Sequence, residues 1–272
     1  MSDELSSKRD RLLDLLRGLG SCAVAFSGGL DSAVLAKATR LALGDRAVAI
    51  LGRSASLAAG ELDAARRIAA EIGIHLEVVE TGELRIEAYQ ANQADRCYHC
   101  KNELFRCIEQ RARELNLAAV IDGGNQDDLG DYRPGLQAAK ERRVRSPLAE
   151  CGLTKTEIRR LAELWKLSIW NKSAMPCLSS RVAYGQRITP ERLAMIDQAE
   201  RFLRERGFLP LRVRYHSGDV ARVEVSLEQL PRLAEPQMRR EVVERLKSLG
   251  FRYVSLDLEG FRSGSMNAGI RD

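Results

Sequence analysis

No apolar run in this 272-residue chain approaches the ~20 residues that a bilayer-spanning helix needs. The opening residues, MSDELSSKRDRLLDLL, lack a signal-peptide core, so a cytoplasmic protein is expected. Aromatic residues make up only 5%, which offers few platforms for stacking single-stranded bases. The net charge of +5 and pI near 9.0 suit an anionic ligand or RNA, and without those platforms the charge alone decides little. Internal repeats and low-complexity tracts are absent, which excludes solenoids and tail-like segments. Only one Cys-x-x-Cys pair occurs, with no second to complete a zinc site. Six cysteines in a chain of this kind argue against a disulfide framework and for thiol or metal chemistry. What remains is an ordinary soluble composition, 44% hydrophobic and 30% charged, long enough for one medium and one small domain.

The most specific stretch is Phe26-Ser27-Gly28-Gly29-Leu30-Asp31-Ser32. Ala23-Val24-Ala25-Phe26 before it is too short for a helix and suits a buried parallel strand, while Ala33-Val34-Leu35-Ala36 after it opens a helical pattern. The stretch is therefore a strand-to-helix turn. Gly28 and Gly29 let the backbone turn tightly and approach a ligand, and Ser27 and Ser32 add hydroxyls beside the unpaired N–H groups of a helix start. Such a turn holds an anion. It is not a Walker A loop, because the Gly-Lys-Ser/Thr ending is missing.

The periodicity predicts a helix over 4–17, then strands over 47–51, 75–79 and 118–121 with a helix over 60–72 between the first two. Strands and helices alternating at this spacing predict a doubly wound parallel sheet, with ligands at the carboxyl ends of the strands. The pair in Arg96-Cys97-Tyr98-His99-Cys100-Lys101 sits at a helix start and reads as a redox pair, half of a metal site, or two ordinary thiols. Asp122-Gly123-Gly124-Asn125-Gln126-Asp127-Asp128 follows the fourth strand; its carboxylates suit Mg²⁺ with phosphate oxygens, and an Asx-rich turn is the alternative. Thr154-Lys155-Thr156-Glu157 is a capping box for a helix through 164. Beyond Trp170 an aperiodic segment holds Pro176-Cys177-Leu178-Ser179-Ser180-Arg181, with Lys172 and Arg181 as cationic neighbours of Cys177 that favour its thiolate. A buried hydrophobic role for this cysteine is the alternative. Helices over 191–206 and 237–249 with strands over 211–216, 221–225 and 253–258 then predict a small α+β domain. The expected division is 1–170, a linker over 171–188, and a substrate and oligomerisation domain over 189–272.

Ser-Gly-Gly-Leu-Asp-Ser resembles the signature of the PP-loop ATP pyrophosphatase superfamily, whose fold is of the adenine nucleotide alpha hydrolase type. Its members cleave ATP between the alpha and beta phosphates, and the loop grips the departing pyrophosphate. Taken in order with the cysteine pair, Asp-Gly-Gly-Asn, Ser-Pro-Leu, Pro-Cys-Leu-Ser-Ser-Arg and Leu-Arg-Val-Arg, it resembles the LarE-type ATP-dependent sulfur transferases over nearly the whole chain. These adenylate a carboxylate of a pyridinium dicarboxylate mononucleotide and replace an oxygen with sulfur, in building the nickel-pincer nucleotide of lactate racemase. The resemblance implies ATP and Mg²⁺ held by Ser27, Gly28, Gly29, Asp31, Ser32, Arg53, Gly124 and Asp128, with Asp31 and Asp128 as Mg²⁺ ligands. It gives the substrate phosphate to Ser180, Arg212 and Arg214, a catalytic role to Cys177 and Asp31, and a metal to Glu200 and Glu224. By position alone Arg212 and Arg214 share one strand face that is ordinarily solvated.

One branch of the family sacrifices its single cysteine, which becomes dehydroalanine; another carries a four-iron cluster on three. Cys97, Cys100 and Cys177 resemble the second branch and imply a [4Fe-4S] cluster. Cys22, Cys107 and Cys151 are assigned to packing or surface. A small nucleotide substrate and a homo-oligomer are expected, with no nucleic acid and no membrane. Competing readings are a tRNA thiolase, for which no RNA-binding domain or basic tract is evident, an amide-forming synthetase, which leaves the cysteines without a task, and a non-enzymatic nucleotide or iron–sulfur sensor.

Overall fold

A computed structural model describes residues 3–130, 134–171, 176–262 and 266. It divides into two compact units: 1–54, 60–83 and 97–175 in the first, and 55–59, 84–96 and 176–272 in the second.

The first unit starts with α1 (Asp3–Gly18), which buries Leu5, Leu12 and Leu16. Then come β1 (Cys22–Ala25), α2 (Leu30–Leu43), β2 (Ala47–Arg53), α3 (Glu61–Ile72) and β3 (His75–Glu80). The single turn α4 (Glu87–Gln90) belongs to the second unit. The first resumes with α5 (Arg96–Glu114), β4 (Ala119–Ile121), α6 (Pro134–Glu141), α7 (Pro147–Glu150) and α8 (Lys155–Leu164). The four strands are all parallel in the order β3-β2-β1-β4. Strand order reverses beside β1: the chain first grows outward through β2 and β3, then returns to place β4 on the other side. The crevice at the carboxyl ends of β1 and β4 is thus the topological switch point, where such sheets bind ligands.

All four β1 residues are buried, as a central parallel strand requires. Ala23 and Ala25 pack with Val48 and Ile50 against Phe105, Ile108 and Ala112 of α5 and Ala139 of α6. Alternation turns Cys22 and Val24 to the opposite face. Cys22 is fully buried, and burial pushes its thiol up to about 12, so it is an inert packing residue.

Glu103 ties α5 to the strand ends, accepting the Gly82 N–H at 3.1 Å and pairing with Arg106 at 2.7 Å. The Arg106 hydrogen bond first, and Gly82 next, hold this carboxyl down to about 2 against the opposing effect of burial. Its folded value lies below the unfolded one of ~4.3, so its contribution is complete above ~4.3 and is lost as pH falls towards 2. Glu103→Gln should flatten this part of the acid-unfolding curve followed by circular dichroism; a curve unchanged below ~4.3 would contradict the assignment.

In the second unit, α9 (Pro190–Glu205) packs on β5 (Leu211–His216), which pairs antiparallel with β6 (Val220–Val225). After α10 (Leu230–Ala234) and α11 (Pro236–Ser248), β7 (Tyr253–Leu256) joins β6 in parallel. Two excursions from the first half of the chain are built into this unit. Asn92, fully buried with φ of 55°, donates to the carbonyls of Val182, Ala183 and Gln186 at 2.8–3.2 Å. Tyr89 Oη and Ser179 Oγ lie 2.6 Å apart, and Leu178 N donates to Ser56 O at 2.9 Å. Among the described residues, no helix is long and apolar enough to cross a membrane.

Candidate active site

The turn after β1 is held by its own hydroxyls. Ser32 Oγ accepts from Ser27 N at 3.2 Å, lies 3.1 Å from Ser27 Oγ and donates to Gly29 O at 3.0 Å, while Gly29 N donates to Ser27 Oγ at 3.3 Å. Gly28 has φ of 68°, and a Cβ there would lie 2.9 Å from Ala65 Cβ, so both conformation and space require glycine. No side chain caps the start of α2, which leaves its first N–H groups without a side-chain partner at the carboxyl end of β1. The geometry is that of an anion cradle.

The second glycine turn closes against the first. A Cβ on Gly123 would lie 3.0 Å from Ser32 N, so the two backbones touch at the switch point. Asp122, buried at the end of β4, accepts from Ser146 Oγ at 2.6 Å and Gly124 N at 3.1 Å. A Cβ on Gly124 would lie 2.9 Å from that Ser146 Oγ. Asp128 accepts the Asn125 N–H at 3.0 Å and Asp127 the Lys155 N–H at 2.8 Å. The acidic residues of this turn therefore also brace its backbone. Lys155 Nζ is ion-paired with Asp31 Oδ2. Arg53, at the carboxyl end of β2, forms an exposed pair with its register partner Glu80, Nε to Oε1 at 2.6 Å.

In the second unit, buried arginines and glutamates surround the loop that bears Cys177. Arg181, 1% exposed, donates Nε to Glu200 Oε1 at 3.0 Å and Nη1 to Cys177 O at 2.7 Å and to Pro176 O. Its charge thus fixes the loop backbone and faces Glu200, a different task from the thiolate neighbour expected; Lys172 lies outside the described residues. The stretch expected as an irregular loop contains a 3-10 turn, Leu178–Arg181, with Ser180 N and Oγ donating to Cys177 O at 3.0 and 2.7 Å. Arg214 donates Nη1 to Ser180 O at 3.1 Å and pairs with Glu224 through two bonds of 3.0–3.1 Å. Ser180 and Arg214 are thereby brought together, with Arg212 two residues from Arg214 on the same strand.

Arg212 differs from its neighbours. It donates to its own strand's Leu211 O at 2.7 Å and lies 5.2 Å from the Phe261 ring centroid, and makes no hydrogen bond to a carboxylate among the described residues. Burial first, and Arg181 next, push it down to about 10, as expected of a guanidinium that lacks an anion.

Glu200 and Glu224, both fully buried, serve as counter-ions here. Glu200 takes Arg181, Arg204 at 3.0 Å and Val213 N at 3.2 Å; Glu224 takes Arg214 and Arg222 at 3.1 Å. A cation on either would face Arg181, Arg204, Arg214 and Arg222, so the residues present do not fit one. For Mg²⁺ at the first unit the outcome is the reverse: Asp31 Oδ1 is buried and accepts no hydrogen bond among the described residues, an oxygen left for a ligand.

The six cysteines sort by exposure. Cys97 and Cys177 are exposed and Cys100 is half-buried, whereas Cys22, Cys107 and Cys151 are buried. The accessible three are soft donors of the kind that iron–sulfur centres take, and Cys97 and Cys100 share the first turn of α5. No group of three or more His, Cys, Asp or Glu stands together at a metal-holding site among the described residues. Asp122 lies in the acidic turn that the sequence marks, whereas Lys155 and Ser146 carried no local signal of a site role and are brought there by the fold.

An all-parallel sheet with Ser-Gly-Gly-Leu-Asp-Ser at its switch point defines the PP-loop class of ATP-using proteins. Consistent with that class, the chain is 25% identical over 202 residues to a glutamine-hydrolyzing GMP synthase component of Thermococcus kodakarensis, covering 69% of this chain and 65% of that protein. It is 38% identical over 265 residues to pyridinium-3,5-bisthiocarboxylic acid mononucleotide synthase of Lactiplantibacillus plantarum, spanning 97% of this chain and 95% of that one. An uncharacterized protein of Synechocystis sp. is 44% identical over 263 residues, 97% and 98% of the two chains. No protein-family model matches. The chain belongs to the LarE-type ATP-dependent sulfur transferases.

Proposed function

We propose that this protein adenylates a carboxylate of a pyridinium dicarboxylate mononucleotide with ATP and converts it to a thiocarboxylate. The observation that carries the reading is the pairing of an anion cradle at the sheet's switch point with a second unit in which Arg212 lacks a carboxylate partner among the described residues, in a chain 38% identical to the bisthiocarboxylic acid mononucleotide synthase.

A carboxylate oxygen attacks the alpha phosphorus, the bond to the beta-phosphate oxygen breaks, and pyrophosphate departs into the Ser27–Ser32 turn. The turn's backbone N–H groups and the start of α2 receive its growing negative charge. Asp31 and Asp128 would hold Mg²⁺, which neutralises the same charge when bound. The acyl adenylate now has a good leaving group: a sulfur nucleophile attacks the acyl carbon and AMP leaves. Ser180, Arg212 and Arg214 take the substrate's phosphate, a task that the guanidinium fork suits. Cys97, Cys100 and Cys177 are the ligands we assign to a four-iron cluster, which when bound would supply a sulfide that is not part of the chain and so permit repeated turnover. We place the enzyme in the cytoplasm as a homo-oligomer.

The two arginines should separate in experiment. Arg212→Ala should weaken the nucleotide substrate by about 1.5–3 kcal/mol in titrations and leave the melting temperature nearly unchanged. Arg214→Ala strips one partner from fully buried Glu224 and should also cost stability, up to about 3–5 kcal/mol. Neither should alter ATP affinity comparably; if ATP binding falls as much as substrate binding, the assignment of Arg212 and Arg214 to substrate is wrong. The reaction itself is tested by adding ATP and substrate and measuring AMP and pyrophosphate, which should form only when both are present.

A further inference from the structure

Lys155 is used by nothing in the reaction as described, yet it reaches across the switch point to Asp31, 124 positions away in sequence. Its base is rigid. Lys155 is the first residue of α8, whose capping box has Thr154 and Glu157 bonding reciprocally, with Glu157 also paired to Lys8 at 2.8 Å and the Lys155 N–H held by Asp127 at 2.8 Å. Its head is not rigid: the side chain is 39% exposed, on a four-carbon stem. On the other side, Asp31 gives one oxygen to the ammonium and keeps the other, buried and without a hydrogen bond among the described residues.

We propose that Lys155 is the resident cation of the loop. It holds Asp31 while no polyphosphate is bound, it turns its charge to the polyphosphate when that anion enters, and Mg²⁺, where present, takes its place on Asp31. This rests on the pyrophosphate-gripping reading of the loop given above. An ammonium and a divalent ion share one small carboxylate only against strong mutual repulsion. Mg²⁺ binds such sites together with phosphate oxygens, so the ion that displaces Lys155 arrives with the anion that the released ammonium then meets. Moving the head from Asp31 towards the uncapped start of α2 needs side-chain rotation alone, because the α8 backbone stays fixed. Lys155 is a positioning residue for Asp31 in the empty loop and a phosphate contact in the filled one.

The test is calorimetric titration of the full chain with inorganic pyrophosphate, once in EDTA and once in Mg²⁺. In EDTA, Lys155→Met should weaken binding by about tenfold or more, the loss expected for one charged hydrogen bond, and Lys155→Arg should restore most of it. Asp31→Asn should tighten metal-free binding, since it removes a negative charge and releases the ammonium. In Mg²⁺ the Asn variant should lose the gain that metal brings, while Lys155→Met keeps it. Metal-free binding by a folded Lys155→Met protein equal to that of the wild type would overturn the proposal, as would Asp31→Asn weakening it. If the wild type binds no pyrophosphate in either buffer, the reading of the loop itself fails and the proposal with it.

Discussion

Asp31→Ala is expected to abolish substrate-dependent conversion of ATP to AMP and pyrophosphate while leaving the protein folded. The carboxylate offers a buried oxygen with no hydrogen bond among the described residues and receives Lys155 on the other. Removing it takes away a ligand for Mg²⁺ and leaves the ammonium to bind the polyphosphate in the ground state, where it does not aid departure. Loss of one preorganised charge-stabilising group typically lowers turnover by ~10²–10³. Asp31 sits at the start of α2, part-exposed, outside the core made by Ala23, Val48, Ile50 and Phe105, so melting should shift little. Ser32→Ala should act on the same step by a different route, since its hydroxyl bonds Ser27 N and Gly29 O and so shapes the turn. Undiminished pyrophosphate release from a folded Asp31→Ala protein would remove the loop from the reaction.

Cys177→Ser should stop sulfur transfer and spare adenylation. A hydroxyl at this exposed position is a far poorer nucleophile and iron ligand than a thiolate, whereas the loop backbone, held by Arg181 and by Ser180 on the Cys177 carbonyl, has no need of the side chain. Pyrophosphate should therefore still be released while no thiocarboxylate appears. Prepared anaerobically, Cys97→Ser and Cys100→Ser should each lose iron, sulfide and repeated turnover, with Cys22→Ser losing none of these because its thiol is buried and inert. A wild-type protein that stops after one turnover with Cys177 as dehydroalanine would place it in the sacrificial branch and contradict the cluster.

Much of the fold was legible because its signals are local. The four buried residues of β1, the glycine turn and the amphipathic helices all lie within short windows, and the Thr154 capping box is visible as four letters. The turn after β1 was legible because its backbone conformation demands a residue type, as at Gly28 with its positive φ. What local pattern does not carry is pairing across the chain. Asn92 reads as a loop asparagine, yet it is a buried hub that draws 84–96 into the second unit through carbonyls about ninety positions away. Glu200 and Glu224 suggest a metal only until the arginines that occupy them are seen. Arg181 reads as a thiol activator because it is near Cys177 in sequence, but its guanidinium bonds the backbone. Lys155 is an unremarkable first-turn lysine until the fold sets it on Asp31.

The central claim is that ATP cleavage here activates a carboxylate for sulfur. It is tested most directly by incubating the anaerobically purified protein with ATP, Mg²⁺ and the pyridinium dicarboxylate mononucleotide, and analysing nucleotide and pyridinium products by mass spectrometry. The account predicts AMP and pyrophosphate together with a pyridinium product in which sulfur has replaced a carboxylate oxygen. Formation of ADP, or of AMP with the pyridinium substrate unchanged, would contradict it.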